Sequence, residues 1–285
     1  MDKKEQEEII KYLYDELEYK WIKKRVKLNP RIVEAILHEL LESEYRDRLL
    51  PKLDLSEVNF KGQSVILLDL SKTNANIDPQ TVFKKSIQGT NLSGLDMSEK
   101  DFTDVLLDEA NLEDTGANID PQTVRHKCLE RCNLKGLDLR GKDFTGVEIE
   151  GANLEDTGAS IDPQTLKFKN MMFANLRGID LRGKDFTNAD IKWANLENTG
   201  ANIDPQTVKG RNLRGANLSG LNMHGKDFTG TCIMETDLRN TNALINLDET
   251  TYDEDTNFKG CTTSKDNEEI RKHIKQKVKD ACKFF

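Results

Sequence analysis

Residues 77–119 read IDPQTVFKKSIQGTNLSGLDMSEKDFTDVLLDEANLEDTGANI, and this stretch carries a period of five inside a longer period. Large apolar residues stand at every fifth position: Ile77, Val82, Ile87, Leu92, Met97, Phe102, Leu107 and Leu112. The next apolar residue of the series is Ile119, seven positions further on. The longer unit therefore has 42 residues, made of eight fives and an insertion of two.

The 42-residue unit is itself repeated along the chain. The tetrapeptide Asp-Pro-Gln-Thr begins at Asp78, Asp120, Asp162 and Asp204, always 42 residues apart, and Lys-Asp-Phe-Thr recurs at the same interval. The apolar pattern starts at Leu55 and runs to Ile245. A fixed period of this size is the signature of stacked structural units.

Glycine and proline mark where the chain turns. Fifteen of the 18 glycines fall two residues after a central apolar residue, and the other three, Gly116, Gly158 and Gly200, fall in the insertion. The prolines at 79, 121, 163 and 205 also follow a central residue by two. Because both residue types favour turns, we expect the chain to bend at every pentapeptide.

Units such as Ala110-Asn111-Leu112, Ala152-Asn153-Leu154 and Ala216-Asn217-Leu218 resemble the Ala-(Asp/Asn)-Leu-x-x motif of the pentapeptide-repeat family. The resemblance covers residues 53–261. It implies a mainly β fold, a right-handed four-sided β-helix solenoid, in which the central residue and the residue two before it point inward. With four units per coil, one column of central residues contains only leucine, from Leu70 to Leu238.

The two ends of the chain differ from the repeat. Residues 1–50 predict an N-terminal α-helical domain, a hairpin whose second helix begins at Asn29-Pro30. The first helix of this hairpin carries Ile9, Ile10, Leu13, Leu17, Trp21 and Ile22. Residues 264–285 predict a C-terminal helix, with Ile270 and Ile274 at helical spacing. Solenoid ends expose apolar core, so we expect both elements to act as caps, and a homodimer through a terminal helix or a face is a further option.

Cations occupy positions that are usually small in this family. They form a candidate cationic edge of Lys100, Lys127, Lys142, Lys169, Lys184, Arg211 and Lys226. Burial of an unpaired cation costs several kcal/mol, so we expect these side chains to reach solvent at a corner or to pair with aspartates such as Asp101 and Asp185. A solvated ladder of ion pairs is favoured over a nucleic-acid track.

Large apolar residues also occur where the repeat does not require them. Met172, Phe173, Trp193 and Met234 follow central residues on successive or nearly successive coils of one face, at outward positions. A cluster of exposed apolar side chains usually marks a contact surface. The alternative is that a loop or a terminal helix covers them.

The sequence contains no constellation that predicts catalysis. His38, His126, His224 and His273 are scattered, and the motifs of metalloproteases, serine hydrolases and phosphate-binding loops do not occur. Five cysteines at irregular spacing favour a reducing compartment over a disulfide framework. We therefore expect no enzyme, cofactor or metal site. A net charge of −8 and the lack of a long apolar run further predict no nucleic-acid or membrane binding and a cytoplasmic, bacterial protein.

These observations predict a non-catalytic protein-interaction scaffold that binds a protein partner or itself. The family resemblance implies an alternative, because some members protect DNA gyrase from quinolones by presenting a surface that resembles DNA. That reading makes this chain a DNA-mimic-like binder of gyrase or another topoisomerase. A DNA mimic needs dense charge of one sign, whereas here Glu113-Asp114 alternates with Lys135, which favours the scaffold.

Overall fold

The computed structural model describes residues 2–19, 30–165, 169–264, 270 and 272. The chain divides into two compact units, Met1–Leu139 and Arg140–Phe285. Within the described residues, no helix combines the length and the apolar character that crossing a membrane requires.

The first unit begins with three helices: α1 at Lys3–Tyr19, α2 at Pro30–Glu42 and α3 at Arg46–Leu49. Helix α2 begins at Pro30, as predicted, and proline suits this position because the first backbone N–H groups of a helix have no partner within it. The Nε2 of Gln6 donates to the carbonyl of Ala35 at 2.8 Å and joins α1 to α2. Val33, Ile36, Leu37 and Leu40 of α2 are buried. The predicted helical positions of Trp21 and Ile22 lie outside the described residues, and capping by these helices stays a prediction.

After the helices, the chain of the first unit forms stacked coils. Single-turn 3₁₀ segments lie at Leu50–Lys52, Phe83–Lys85 and Arg125–Lys127. Parallel bridges join Asp69 to Asn91, Asn91 to Asn111, and Asn111 to Asn133. The bridged residues are 22, 20 and 22 positions apart. A coil of four pentapeptides has 20 residues, and the two-residue insertion lengthens it to 22. The predicted insertion in every second coil is therefore confirmed here.

The second unit repeats this arrangement. Parallel bridges connect Asn153, Asn175, Asn195, Asn217, Asp237 and Asn257 in series. Strand β1, Leu244–Ile245, pairs in parallel with β2, Thr262–Thr263. Single-turn 3₁₀ segments lie at Pro163–Thr165 and Lys209–Arg211. Regular strands stay short because the chain turns after each pentapeptide. Of the predicted C-terminal helix, Ile270 and Lys272 are helical, and most of the segment lies outside the described residues.

The core of each unit consists of the central residues of the pentapeptides. The leucine column is fully buried, with 0% exposure from Leu70 to Leu134 in the first unit and from Leu154 to Leu238 in the second. Burying one leucine side chain contributes about 1.5–3 kcal/mol. The predicted inward direction of this column is confirmed, and apolar burial in columns is the main source of stability.

Asparagines beside the leucine column bond from coil to coil. Asn195 donates its Nδ2 to the Oδ1 of Asn175 at 3.0 Å, and Asn217 donates to Asn195 at 3.0 Å. The Oδ1 of Asn195 also accepts the backbone N–H of Glu197 at 3.1 Å, which fixes the next corner. The expectation that these asparagines form a structural ladder is confirmed.

Aspartates hold other corners in the same way, and their charge makes stability depend on pH. Asp185 and Asp227 accept the backbone N–H groups of Thr187 and Thr229 at 2.8 Å. These hydrogen bonds lower the pKa of both carboxyls from the usual 3.8. Since the pKa is lower in the folded state, the stabilisation is present above about pH 4 and is lost as the pH falls through the folded pKa.

The double variant Asp185→Asn/Asp227→Asn should therefore lose less stability on acidification than the original chain. Asparagine keeps the acceptor oxygen but does not titrate. Denaturant midpoints at pH 7, pH 4 and pH 3 measure the effect. An equally steep decline in the double variant would show that other groups set the acid sensitivity.

Candidate functional site: an aromatic stack in the second unit

Phe173 and Trp193 occupy the same corner of neighbouring coils, each two residues after a buried central residue. The N–H of Phe173 donates to the carbonyl of Lys192 at 3.0 Å, so the two coils are in register. Both residues have left-handed backbones, with φ of 60° and 55°. A residue with a Cβ pays roughly 1–2 kcal/mol for this conformation. Glycine, which avoids that strain, stands at the same corner of other coils as Gly151 and Gly215.

The two aromatic side chains stack face to face. Their ring centroids are 5.1 Å apart and their planes are inclined by 7°. The guanidinium carbon of Arg214 lies 5.4 Å from the centroid of Trp193. The Nε of Arg214 donates to Glu235 Oε1 at 3.0 Å, and this hydrogen bond raises the pKa of the arginine. We call the series Phe173, Trp193, Arg214 and Glu235 the aromatic stack.

The stack compensates for part of the backbone strain. An aromatic pair contributes about 0.5–1.5 kcal/mol beyond its buried area. A cation over a ring adds about 0.5–1 kcal/mol at an exposed position. These magnitudes are similar to the left-handed strain of the two corners. Stability alone therefore gives little reason to prefer aromatic residues over glycine here.

Gly215 provides the space that the indole of Trp193 occupies. A Cβ at position 215 would lie 2.1 Å from Trp193 Cδ1, far inside van der Waals contact. The φ of Gly215, 68°, is also one that other residues adopt only with strain. The glycine is thus required both by the turn and by the ring packed against it.

The structure places the four residues of the predicted apolar patch on one face. Phe173 is 52% exposed, whereas Met172, Trp193 and Met234 are half-buried. Phe173 and Trp193 are in direct contact, and the two methionines precede the corner residues of their own coils. Sequence reasoning missed Arg214 and Glu235. The sequence could have indicated them. Arg214 and Glu235 follow the central residues Leu213 and Ile233, which continue the column of Met171 and Ile191 on the next two coils.

Fixed charges lie beside the stack. Asp190 is 4% exposed, and its Oδ2 lies 3.3 Å from Lys192 Nζ and 3.2 Å from Lys209 Nζ. The carboxylate is buried, whereas the side chains of Lys192 and Lys209 are 26% and 58% exposed, so both cations reach solvent while they neutralise Asp190. The face therefore combines an aromatic surface with positioned cations and carboxylates. Such groups can bind another molecule by stacking, hydrogen bonds and ion pairs.

In the first unit, the predicted cationic edge is partly solvated. Lys100 is half-buried and donates its Nζ to Asn76 Oδ1 at 2.6 Å. Lys127 is exposed, and its φ is 51°. The inward position expected for Lys127 is therefore avoided by a left-handed turn that leaves the side chain in solvent.

In the second unit, Lys169 and Arg211 also have left-handed backbones, with φ of 50°. The charges of Lys169 and Arg211 help to lower the pKa of Asp185 and Asp227. The remaining members of the edge are half-buried: Lys142, Lys184 and Lys226. A binding role for this edge stays a prediction.

Stacked coils with columns of central residues define a β-helix solenoid built from repeats. A family model described as pentapeptide repeats matches eight copies within residues 86–115, 128–157, 170–199 and 210–242. The chain belongs to the pentapeptide-repeat family.

Solved structures similar to this chain include two trypsin-treated forms of QnrB1, described as a plasmid-mediated fluoroquinolone resistance protein. One is 14% identical, covers 68% of this chain and 80% of its own, and has a TM-score of 0.20. The other is 16% identical, covers 76% and 91%, and has a TM-score of 0.18. The comparison with curated proteins found no match.

Proposed function

We propose that this chain is a non-catalytic interaction scaffold, a right-handed four-sided β-helix that binds a protein partner through the aromatic stack. The observation that carries the proposal is Phe173, which is 52% exposed, stacked on Trp193 and held in a left-handed backbone conformation. Large aromatic side chains in exposed clusters are typical of the energetic centres of protein interfaces. In this proposal, the terminal helical segments cap the coils.

The rigid support of the stack favours a contact role. Trp193 is fixed between Phe173 and Arg214, and Arg214 is fixed by Glu235. A preordered aromatic surface loses little side-chain entropy when a partner binds.

DNA mimicry is supported less well by this face. Lys192 precedes Trp193 directly and Arg214 lies over its ring, and a surface that imitates the phosphates of DNA needs uninterrupted negative charge. Binding of a topoisomerase through another surface is an alternative outcome of capture from a lysate.

The double variant Phe173→Gly/Trp193→Gly should lose its partner in affinity capture from a lysate of the source organism. Glycine fits both left-handed corners, so the coils should remain folded while the aromatic surface is removed. Two interface residues of this kind are each worth about 2 kcal/mol, and recovery of the partner should drop at least about tenfold. Quantitative mass spectrometry of the eluates measures this loss.

Leu67→Gly is the matched control, because Leu67 occupies the equivalent corner in the first unit, has φ of 60° and is 62% exposed. It should retain the partner. Equal recovery with the original chain and the double variant would overturn the proposal. Capture of topoisomerase subunits by all three proteins would instead support the alternative function, a DNA-mimic-like binder of a topoisomerase.

A further inference from the structure

We propose that the partner segment bound at the aromatic stack is basic, and that one of its arginine side chains lies on the open face of Phe173 beside Glu150. This inference rests on the proposed function and adds the chemistry of the partner. It follows from an unfilled position in the stack and from the charge next to that position.

Among the residues that the structure describes, one face of the Phe173 ring is open. Trp193, on the following coil, covers the other face. On the preceding coil the same corner is Gly151, whose N–H donates to the carbonyl of Met172 at 2.8 Å, so the two coils are adjacent. Glycine has no side chain to continue the stack, and Phe173 is 52% exposed. One planar group can therefore be added to the series at this position.

The charge on the preceding coil, next to this open position, is negative. Glu150 directly precedes Gly151, and its Oε2 accepts the Nδ2 of Asn170 at 2.7 Å. Asn170 lies three residues before Phe173, and Gly151 stands at the corner of Phe173 on the preceding coil, so Glu150 and the ring belong to the same side of adjacent coils. An aromatic face and a carboxylate are the two groups that a guanidinium recognises, by stacking and by paired hydrogen bonds.

The filled part of the stack provides an internal example of the same recognition. Arg214 lies over Trp193 and donates to Glu235, which gives the order ring, guanidinium and carboxylate. At the open end the ring is Phe173 and the carboxylate is Glu150, and the guanidinium is left for a partner to supply. One end of the stack thus contains the ring, the guanidinium and the carboxylate, and the other end contains only the ring and the carboxylate.

Other occupants fit this position less well. An acidic segment would meet both the Glu150 carboxylate and the negative face of the ring. A neutral apolar segment would cover the ring but would leave the carboxylate without a cation. A second copy of this chain could offer an arginine of its own, and that possibility is separated by the experiment.

The direct test titrates three synthetic peptides of 12 residues into the full chain carrying Trp21→Phe, which leaves Trp193 as its single tryptophan. The peptides are identical except at two central positions, which hold arginine, lysine or citrulline. The ¹H–¹⁵N indole resonance of Trp193 reports binding. We expect the arginine peptide to bind most tightly, the lysine peptide about threefold more weakly, and the citrulline peptide to cause no saturating shift.

Two variants test the two halves of the position. Glu150→Gln keeps an acceptor for Asn170 but removes the charge, and should weaken the arginine peptide about threefold to fivefold. Gly151→Asn tolerates a left-handed backbone while filling the open position, and should abolish binding. Glu155→Gln is the control, because Glu155 Oε2 accepts Asn175 Nδ2 at 3.0 Å on the next side of the coil, and its Oε1 pairs with Arg177 and not with the stack. This control should bind like the original chain.

Equal binding of the arginine and citrulline peptides, or full binding by Glu150→Gln and Gly151→Asn, would overturn the inference. A concentration-dependent shift of the Trp193 resonance without peptide, abolished by Glu150→Gln, would identify a second copy and would also overturn it. If capture depends on Phe173 and Trp193 while the peptides do not bind, the proposed function stands and only this inference fails. If capture is independent of the stack, the proposed function itself fails.

Discussion

Replacing Leu196 with alanine should lower the free energy of unfolding by about 2–5 kcal/mol. Leu196 is 0% exposed, and Leu176 and Leu218 stand at the same position of the coils on either side. The backbone N–H groups of Leu176 and Leu196 bond to carbonyls of the next coil at 2.9 Å, which limits how far the coils can move together. The cavity left by the missing atoms therefore cannot collapse completely, and chemical denaturation followed by circular dichroism measures its effect.

Leu244→Ala is the control for this substitution. Leu244 belongs to β1 in the same unit but is 52% exposed, so its truncation should change the free energy of unfolding by less than about 1 kcal/mol. Hydrogen exchange should also become faster around Leu176, Leu196 and Leu218 before other coils are affected, because each coil contacts only its neighbours. Similar effects for both substitutions would show that the leucine column is not the core.

The repeated part of the fold was predictable because a solenoid converts sequence distance into position. Residues 20 or 22 apart, such as Asn175, Asn195 and Asn217, lie directly above one another and bond to each other. Once the register was known from the apolar residues and glycines, burial of the leucine column and the asparagine ladder followed. No rare long-range contact had to be guessed.

The direction of side chains at the corners was not predictable from the register. Phe173 and Trp193 stand 20 residues apart at one corner, so their proximity could be expected. Arg214 precedes its corner residue, Gly215, and reaches Trp193 only because that glycine leaves space above it. The left-handed turn at Lys127 was missed for a related reason, since a pattern of fives does not specify the sign of φ.

Gly215→Ala should be more destabilising than Gly225→Ala, although both glycines stand at left-handed corners with φ of 68° and 73°. A Cβ at position 225 has no atom within 4 Å, so this variant should lose only about 1–2 kcal/mol to backbone strain. A Cβ at position 215 would overlap the Trp193 ring at 2.1 Å. Overpacking of this kind adds about 1–3 kcal/mol, which gives a total of roughly 2–5 kcal/mol.

The added loss should come from the ring, and a double variant isolates it. With Trp193→Gly already present, Gly215→Ala should be no more destabilising than Gly225→Ala, because the atom it would strike is gone. Near-ultraviolet circular dichroism should change with Gly215→Ala alone and stay unchanged with Gly225→Ala, since only the first displaces the indole from Phe173. If Gly215→Ala were as mild as Gly225→Ala in denaturation and in the spectrum, Trp193 would have to move freely. The rigid contact surface that the proposed function requires would then not exist.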